Sequence, residues 1–84
     1  MLLSIVSPVY MAQNIVEILI AQISDATKTI TTDFEIILVE DGSKDGSWAA
    51  IEHAAATNRH VKGIKFSRNF VNIVKGKFNA HEKI

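Results

Sequence analysis

Glu40 and Asp41 carry the clearest chemical signal in this chain of 84 residues. They close an apolar, β-branched run, Phe34 to Val39, that reads as a buried strand. After them come Gly42-Ser43-Lys44-Asp45-Gly46-Ser47 and then Trp48 to Ala56, in which Trp48, Ile51 and Ala55 fall on one helical face. Two carboxylates therefore lie where a strand ends and a helix is about to begin. In a parallel α/β sheet that carboxyl edge gathers helix N-termini and loop groups, and ligands bind there. Asp-Gly is also a turn signal in its own right, because glycine accepts positive φ and aspartate caps locally. A hairpin would need a second alternating strand directly afterwards, whereas an alanine-rich helix follows.

The elements that must position this pair are legible on either side of it. A first strand, about Leu2 to Ser7, ends at Pro8, which has no N–H to extend a ladder. Pro8-Val9-Tyr10 then forms a loop at the same edge as Asp41, provided the strands are parallel. Asn14 suits an N-cap, with Glu17 three residues on to complete a capping-box pattern. From Ile15 the positions Ile15, Ile18, Leu19, Ile23 and Ala26 trace one helical face, widened by Val16 and Ile20. Thr31 to Asp33 turn the chain into the second strand. Beyond the second helix, Thr57-Asn58-Arg59-His60 breaks the pattern, and a third strand follows at Val61 to Phe66 with Gly63 as a weak point inside it. The order β-α-β-α-β, with right-handed crossovers, predicts an α/β fold built on a parallel sheet. Residues 71–84 have no clean period and read as a poor helix or a frayed tail.

Three loops then converge on one edge: Pro8 to Tyr10, Glu40 to Ser43, and Ser67 to Phe70. Between them they offer an aromatic ring, carboxylates and the Arg68 guanidinium. A nucleotide asks for such a set: a ring for the base, a carboxylate for an imide N–H or ribose hydroxyl, an arginine for phosphate. Tyr10 as a rim aromatic and Arg68 as a partner for Glu40 are the structural alternatives.

Composition narrows the class. The chain is one small domain, and a domain of this size buries only about 60–65% of the surface its unfolded form exposes. A hydrophobic share of 48% with 21% charged residues argues against disorder. With no cysteine there is neither a disulfide framework nor a thiolate metal site, which fits a cytoplasmic protein. The apolar start, Met1 to Val6, lacks a basic flank and meets Ser7-Pro8 too early for a signal peptide or a membrane span. The formal net charge is zero, yet residues 1–58 carry two lysines against eight acids, and residues 59–84 carry seven basic residues against Glu82 alone. The basic residues are spread out without interleaved aromatics, the pattern of a solvated surface and not of a nucleic-acid site.

Three stretches, Leu3-Ser4-Ile5-Val6-Ser7-Pro8-Val9-Tyr10, Glu35-Ile36-Ile37-Leu38-Val39-Glu40-Asp41-Gly42-Ser43-Lys44-Asp45-Gly46-Ser47 and Ser67-Arg68-Asn69-Phe70, together resemble inverting family 2 glycosyltransferases of the GT-A fold. The resemblance covers residues 2 to 70 and is strongest to the branch that loads sugars onto dolichyl or undecaprenyl phosphate. It implies a three-layer Rossmann-like sheet, with residues 1–70 forming the β-α-β-α-β half of a nucleotide-sugar-binding domain and 71–84 a divergent tail. It implies a cytoplasmic activity, at the inner membrane face in the parent enzyme, moving a hexosyl group from an NDP-sugar to an acceptor such as a polyprenyl phosphate. By the same resemblance Asp41 takes the base or ribose and Tyr10 flanks the base, with Pro8, Glu40 and Arg68 completing the nucleotide set.

The departures are equally specific. Met11 stands where the family usually has asparagine, and Glu40 where its acidic pair usually begins with aspartate. After Phe70 the family continues with glycine and an alanine-rich helix, unlike Val71-Asn72-Ile73-Val74-Lys75-Gly76. No Asp-x-Asp occurs, and His53, His60 and His81 lack the spacing of a metal site. Sugar transfer in the family uses Mg or Mn on the leaving diphosphate and a base on the acceptor. The expectation is thus a fragment of such an enzyme that binds an NDP-sugar weakly or not at all and does not catalyse. It is also expected to self-associate through its uncharged first strand, left as a sheet edge. A non-catalytic interaction fragment is one alternative. The other is a receiver-like signalling module, although receivers carry the acidic pair after their first strand and this chain carries it after the second.

Overall fold

The computed structural model describes residues 2–66, 70–75 and 78–83, with side chains described through Phe66. The elements run β1 (Leu3–Val9), α1 (Val16–Lys28), β2 (Phe34–Asp41), α2 (Ser47–Thr57), β3 (Val61–Phe66), β4 (Phe70–Lys75) and β5 (Phe78–Lys83). They form one sheet in the order β1-β2-β3-β4-β5. β1 pairs parallel with β2, and β2 with β3. The chain is thus the expected β-α-β-α-β unit, with β3 on the far side of β2 from β1 and β1 at an edge.

Both crossovers step in the same direction across the sheet. With the right-handed preference, that sends α1 and α2 to the same face. Strand burial alternates accordingly. Phe34, Ile36, Leu38, Val9 and Val61 are buried together with Val16 and Ile20 of α1 and Ile51, Ala54 and Ala55 of α2. The opposite face carries Val6, Glu35, Ile37, Val39, Lys62 and Ile64, none of them fully buried. Among the described residues the fold thus supplies two of three layers: the sheet and one helical cover. On the open face Glu35 accepts from Ser4 Oγ at 2.7 Å and pairs with Lys62 Nζ at 3.2 Å.

Several local expectations change. β1 runs through Pro8, which pairs in register with Val39; a proline is tolerated there because β1 is an edge strand. α1 begins at Val16 with Ile15 as N-cap and no side-chain cap, so Asn14 does not cap it. Its buried stripe is Val16, Ile20, Ser24 and Thr27, whereas Ile15 and Ile18 are more than half exposed and Ala26 is exposed. The apolar arc of α1 is wider than the sheet beneath it can cover, and the sequence alone does not say which side of the arc is used. Residues 70–75 and 78–83 form antiparallel strands and not a poor helix, so the sheet is mixed. Val71-Asn72-Ile73-Val74 suits a ladder better than a helix, since β-branched residues favour a pleated surface.

Gly63, a weak point by propensity, has a packing reason. A Cβ there would lie 2.4 Å from Ile51 Cγ2 and 3.1 Å from Trp48 Cζ3, so α2 sits directly on the β3 backbone. His60 likewise serves structure. Its ring stacks on Phe34 with centroids 4.0 Å apart, and its Nδ1 lies 2.9 Å from the Phe34 carbonyl oxygen.

Candidate functional site

Parallel pairing brings the carboxyl ends of three strands into line, with Val9 opposite Glu40, Glu40 opposite Lys65 and Asp41 opposite Phe66. Pro8, Tyr10, Glu40 and Asp41 therefore share one edge, as their sequence positions suggested. Arg68 lies outside the described residues. Tyr10 is 67% exposed, directly after β1, and Asp41 is exposed at the end of β2. A ring and a carboxylate are thus open to a ligand. Pro8 is exposed as well.

Glu40 is different in kind. Strand alternation turns it to the helix-covered face, where it is fully buried. Its Oε1 accepts the Ser43 N–H, closing the turn in which Gly42 adopts φ 81°. Its Oε2 has no hydrogen-bond partner among the described residues. Glu40 therefore shapes the acidic loop from below, and Asp41 is the carboxylate offered to solvent.

The loop after β1 is held by residues whose role the sequence reading did not assign. Ser43, Asp45 and Ser47 stand at alternate positions, and each binds one backbone N–H of the facing segment. Met11 N–H donates to Ser43 Oγ at 2.8 Å, Ala12 N–H to Ser47 Oγ at 2.8 Å, and Gln13 N–H to Asp45 Oδ2 at 3.3 Å. In return Gly46 N–H donates to Gln13 Oε1. The other Asp45 oxygen, Oδ1, accepts both the Ser47 N–H at 3.0 Å and the Ser47 hydroxyl at 2.5 Å. These bonds, above all the one from the Ser47 side chain, hold the Asp45 carboxyl below its ordinary value of 3.8. The signal was present as the Ser-x-Asp-x-Ser spacing, but its targets are 32 to 35 residues away and only the fold reveals them.

Within this pinned segment Met11 adopts φ 50°, the left-handed region that costs a residue with a Cβ. Asparagine tolerates that region several-fold better, which is a backbone reason for a family to prefer it at this position. Beside the network lies a surface cleft of about 400 Å³, lined by Met11, Ala12, Gln13, Asn14, Ile15 and Asp45. Neither Tyr10 nor Asp41 lines it.

A divalent cation finds no fit among the described residues, which contain no group of three or more His, Cys, Asp or Glu placed to share one. Asp41 by itself is not a cation site.

Comparison with known proteins identifies the family. The family model described as glycosyl transferase family 2 matches residues 4–77. An undecaprenyl-phosphate 4-deoxy-4-formamido-L-arabinose transferase of Yersinia enterocolitica is 43% identical over 68 residues, 80% of this chain and 21% of that protein. An enzyme of the same name from Aeromonas hydrophila is 34% identical over 70 residues, 82% of this chain and 22% of that protein. An uncharacterized glycosyltransferase of Synechocystis is 37% identical over 68 residues, 81% and 21% respectively. The chain thus spans about a fifth of the length of these relatives.

Proposed function

The chain belongs to glycosyl transferase family 2, and on that premise we propose that its Tyr10–Asp41 edge recognises the nucleoside diphosphate of a sugar donor. The observation that carries the reading is the pairing of an exposed ring and an exposed carboxylate at the carboxyl end of adjacent parallel strands. Tyr10 stacks on the uracil or guanine face, and Asp41 accepts from a base N–H or ribose hydroxyl. Pro8 shapes the approach, Glu40 holds the Asp41 loop through Ser43, and Arg68 meets the diphosphate.

The parent activity in this reading moves a glycosyl group from an NDP-sugar to a polyprenyl phosphate; the sugar named for two relatives, 4-deoxy-4-formamido-L-arabinose, is a pentose derivative and does not support the hexosyl group expected from the sequence. The names of the Yersinia and Aeromonas relatives, which act on undecaprenyl phosphate, support that acceptor. Its setting is the cytoplasm, at the inner membrane face. No helix among the described residues is long and apolar enough to cross a membrane. We assign these 84 residues the nucleotide-recognition part and not the transfer step. Transfer needs a base for the acceptor, and in this family a divalent cation on the leaving diphosphate. A radiolabelled NDP-sugar should therefore show no hydrolysis or transfer above the no-protein control.

A second copy of this chain is the protein partner we propose. Among the described residues β1 pairs on one side only; it carries no charge and exposes Val6 to 63%. Its free backbone groups can pair with the same strand of another copy across a two-fold axis. The nucleotide reading is tested by titrating UDP and GDP into 15N-labelled protein. The amides that shift should cluster at residues 8–13 and 40–47; shifts clustered elsewhere, or none, would refute it.

A further inference from the structure

Three consecutive backbone N–H groups, of Met11, Ala12 and Gln13, end on the side chains of Ser43, Asp45 and Ser47. The first and last of these acceptors are themselves anchored. Ser43 donates its own N–H to buried Glu40, and Ser47 is fully buried at the start of α2. Asp45 joins the two sides, with one oxygen on the Ser47 hydroxyl and amide and the other on Gln13. Gln13 answers by accepting the Gly46 N–H. Tyr10 is the residue directly before this pinned segment, and Asp41 lies two residues before Ser43.

We propose that Asp45, acting with Ser43, is a positioning residue for nucleotide binding: it clamps the loop after β1 to the loop after β2 and so fixes Tyr10 relative to Asp41. The inference rests on the nucleotide reading above. An exposed tyrosine on a strand-to-helix loop has no packing to hold it, so its placement comes from the backbone that precedes and follows it. β1 holds that backbone up to Val9, and the clamp holds it from Met11. Within the clamped segment Met11 holds its φ of 50° against the preference of a residue with a Cβ. The network is electrostatically sound because an ionised carboxylate accepts several N–H and O–H bonds at once.

Tyr10 is the single tyrosine of the chain, so 3-fluorotyrosine labelling places one 19F reporter on it. In the full 84-residue protein the clamp predicts one sharp 19F line that moves on addition of UDP or GDP. Asp45→Ala should shift and broaden that line and raise the nucleotide dissociation constant about tenfold, the effect of cutting the competent population to roughly a tenth. Asp45→Asn keeps one acceptor oxygen and should recover part of both effects. Ser43→Ala, which leaves Asp45 and the start of α2 intact, should move the line in the same direction and serves if Asp45→Ala does not fold. If Asp45 only caps α2, its removal lowers the unfolding temperature and leaves the 19F line and the affinity unchanged; that result overturns the clamp alone. A wild-type line that neither nucleotide moves overturns the nucleotide reading and the clamp's part in binding with it.

Discussion

Replacing Gly63 by alanine tests the packing that seats α2, and with it the loop that carries Asp45 and Ser47. The added Cβ would lie 2.4 Å from Ile51 Cγ2 and 3.1 Å from Trp48 Cζ3, against an optimum of about 3.5–4.0 Å between carbons. Ile51 is fully buried and cannot swing away, so the helix or the strand must move. Overpacking of this kind costs about 1–3 kcal/mol. A 2.4 Å approach to a buried side chain belongs at the upper end of that range, about 2–3 kcal/mol; alanine recovers about 0.4–1 kcal/mol by restricting the unfolded chain, which leaves a loss of about 1–2.6 kcal/mol. For a domain of this size each kcal/mol lowers the unfolding temperature by about 4–8 °C, so calorimetry should show a fall of about 4–21 °C. A double-mutant cycle identifies the cause. Ile51→Ala alone should cost about 2–5 kcal/mol, and the pair together less than the sum, because the new methyl fills part of the space Ile51 vacates. An unchanged or raised unfolding temperature in Gly63→Ala, or strict additivity in the cycle, would refute the reasoning.

Met11→Asn should raise stability by about 0.5–1 kcal/mol, read from the urea midpoint, because asparagine accepts the left-handed conformation that Met11 adopts; a lower midpoint would speak against strain there. Because the Asp45 pKa is depressed in the folded chain, its contribution is complete above the ordinary aspartate value and is lost as pH falls through the depressed one. The amides of Gln13 and Ser47 should therefore titrate together with a midpoint below 3.8, and a midpoint above it contradicts the network. Val6→Lys places a charge on the free β1 edge and should convert a dimer to a monomer in light scattering. A wild type that stays monomeric at high micromolar concentration rules that association out.

The parts of this fold legible in the sequence are those set by short-range pattern. The apolar run Phe34 to Val39, the Trp48-Ile51-Ala55 face and the strand Val61 to Phe66 all stand where their periodicity puts them. The shared edge of Tyr10 and Asp41 follows from element order and the handedness of crossovers. What the pattern does not carry is set by contacts distant in sequence. The start of α1 passes over Asn14 and falls at Val16, beyond a segment whose amides are already held by Ser43, Asp45 and Ser47. The buried side of α1 depends on which part of a wide apolar arc meets the sheet. Glu40 and Asp41 look alike in the sequence, yet strand alternation sends one into the core and leaves the other outside. Residues 71–84 lack a clean period and read as a poor helix or a frayed tail, yet 70–75 and 78–83 pair as antiparallel strands beside β3; the β-branched run Val71 to Val74 is the local signal for it.

Isothermal titration of UDP and GDP into the wild type and Asp41→Asn, at one salt concentration, tests the central claim most directly. If Asp41 accepts a hydrogen bond from the nucleotide, one of the two ligands should bind the wild type, and the substitution should weaken that binding by about 1.5–3 kcal/mol, as for a charged acceptor. Equal affinity in the two proteins would return Asp41 to a turn residue and contradict the account.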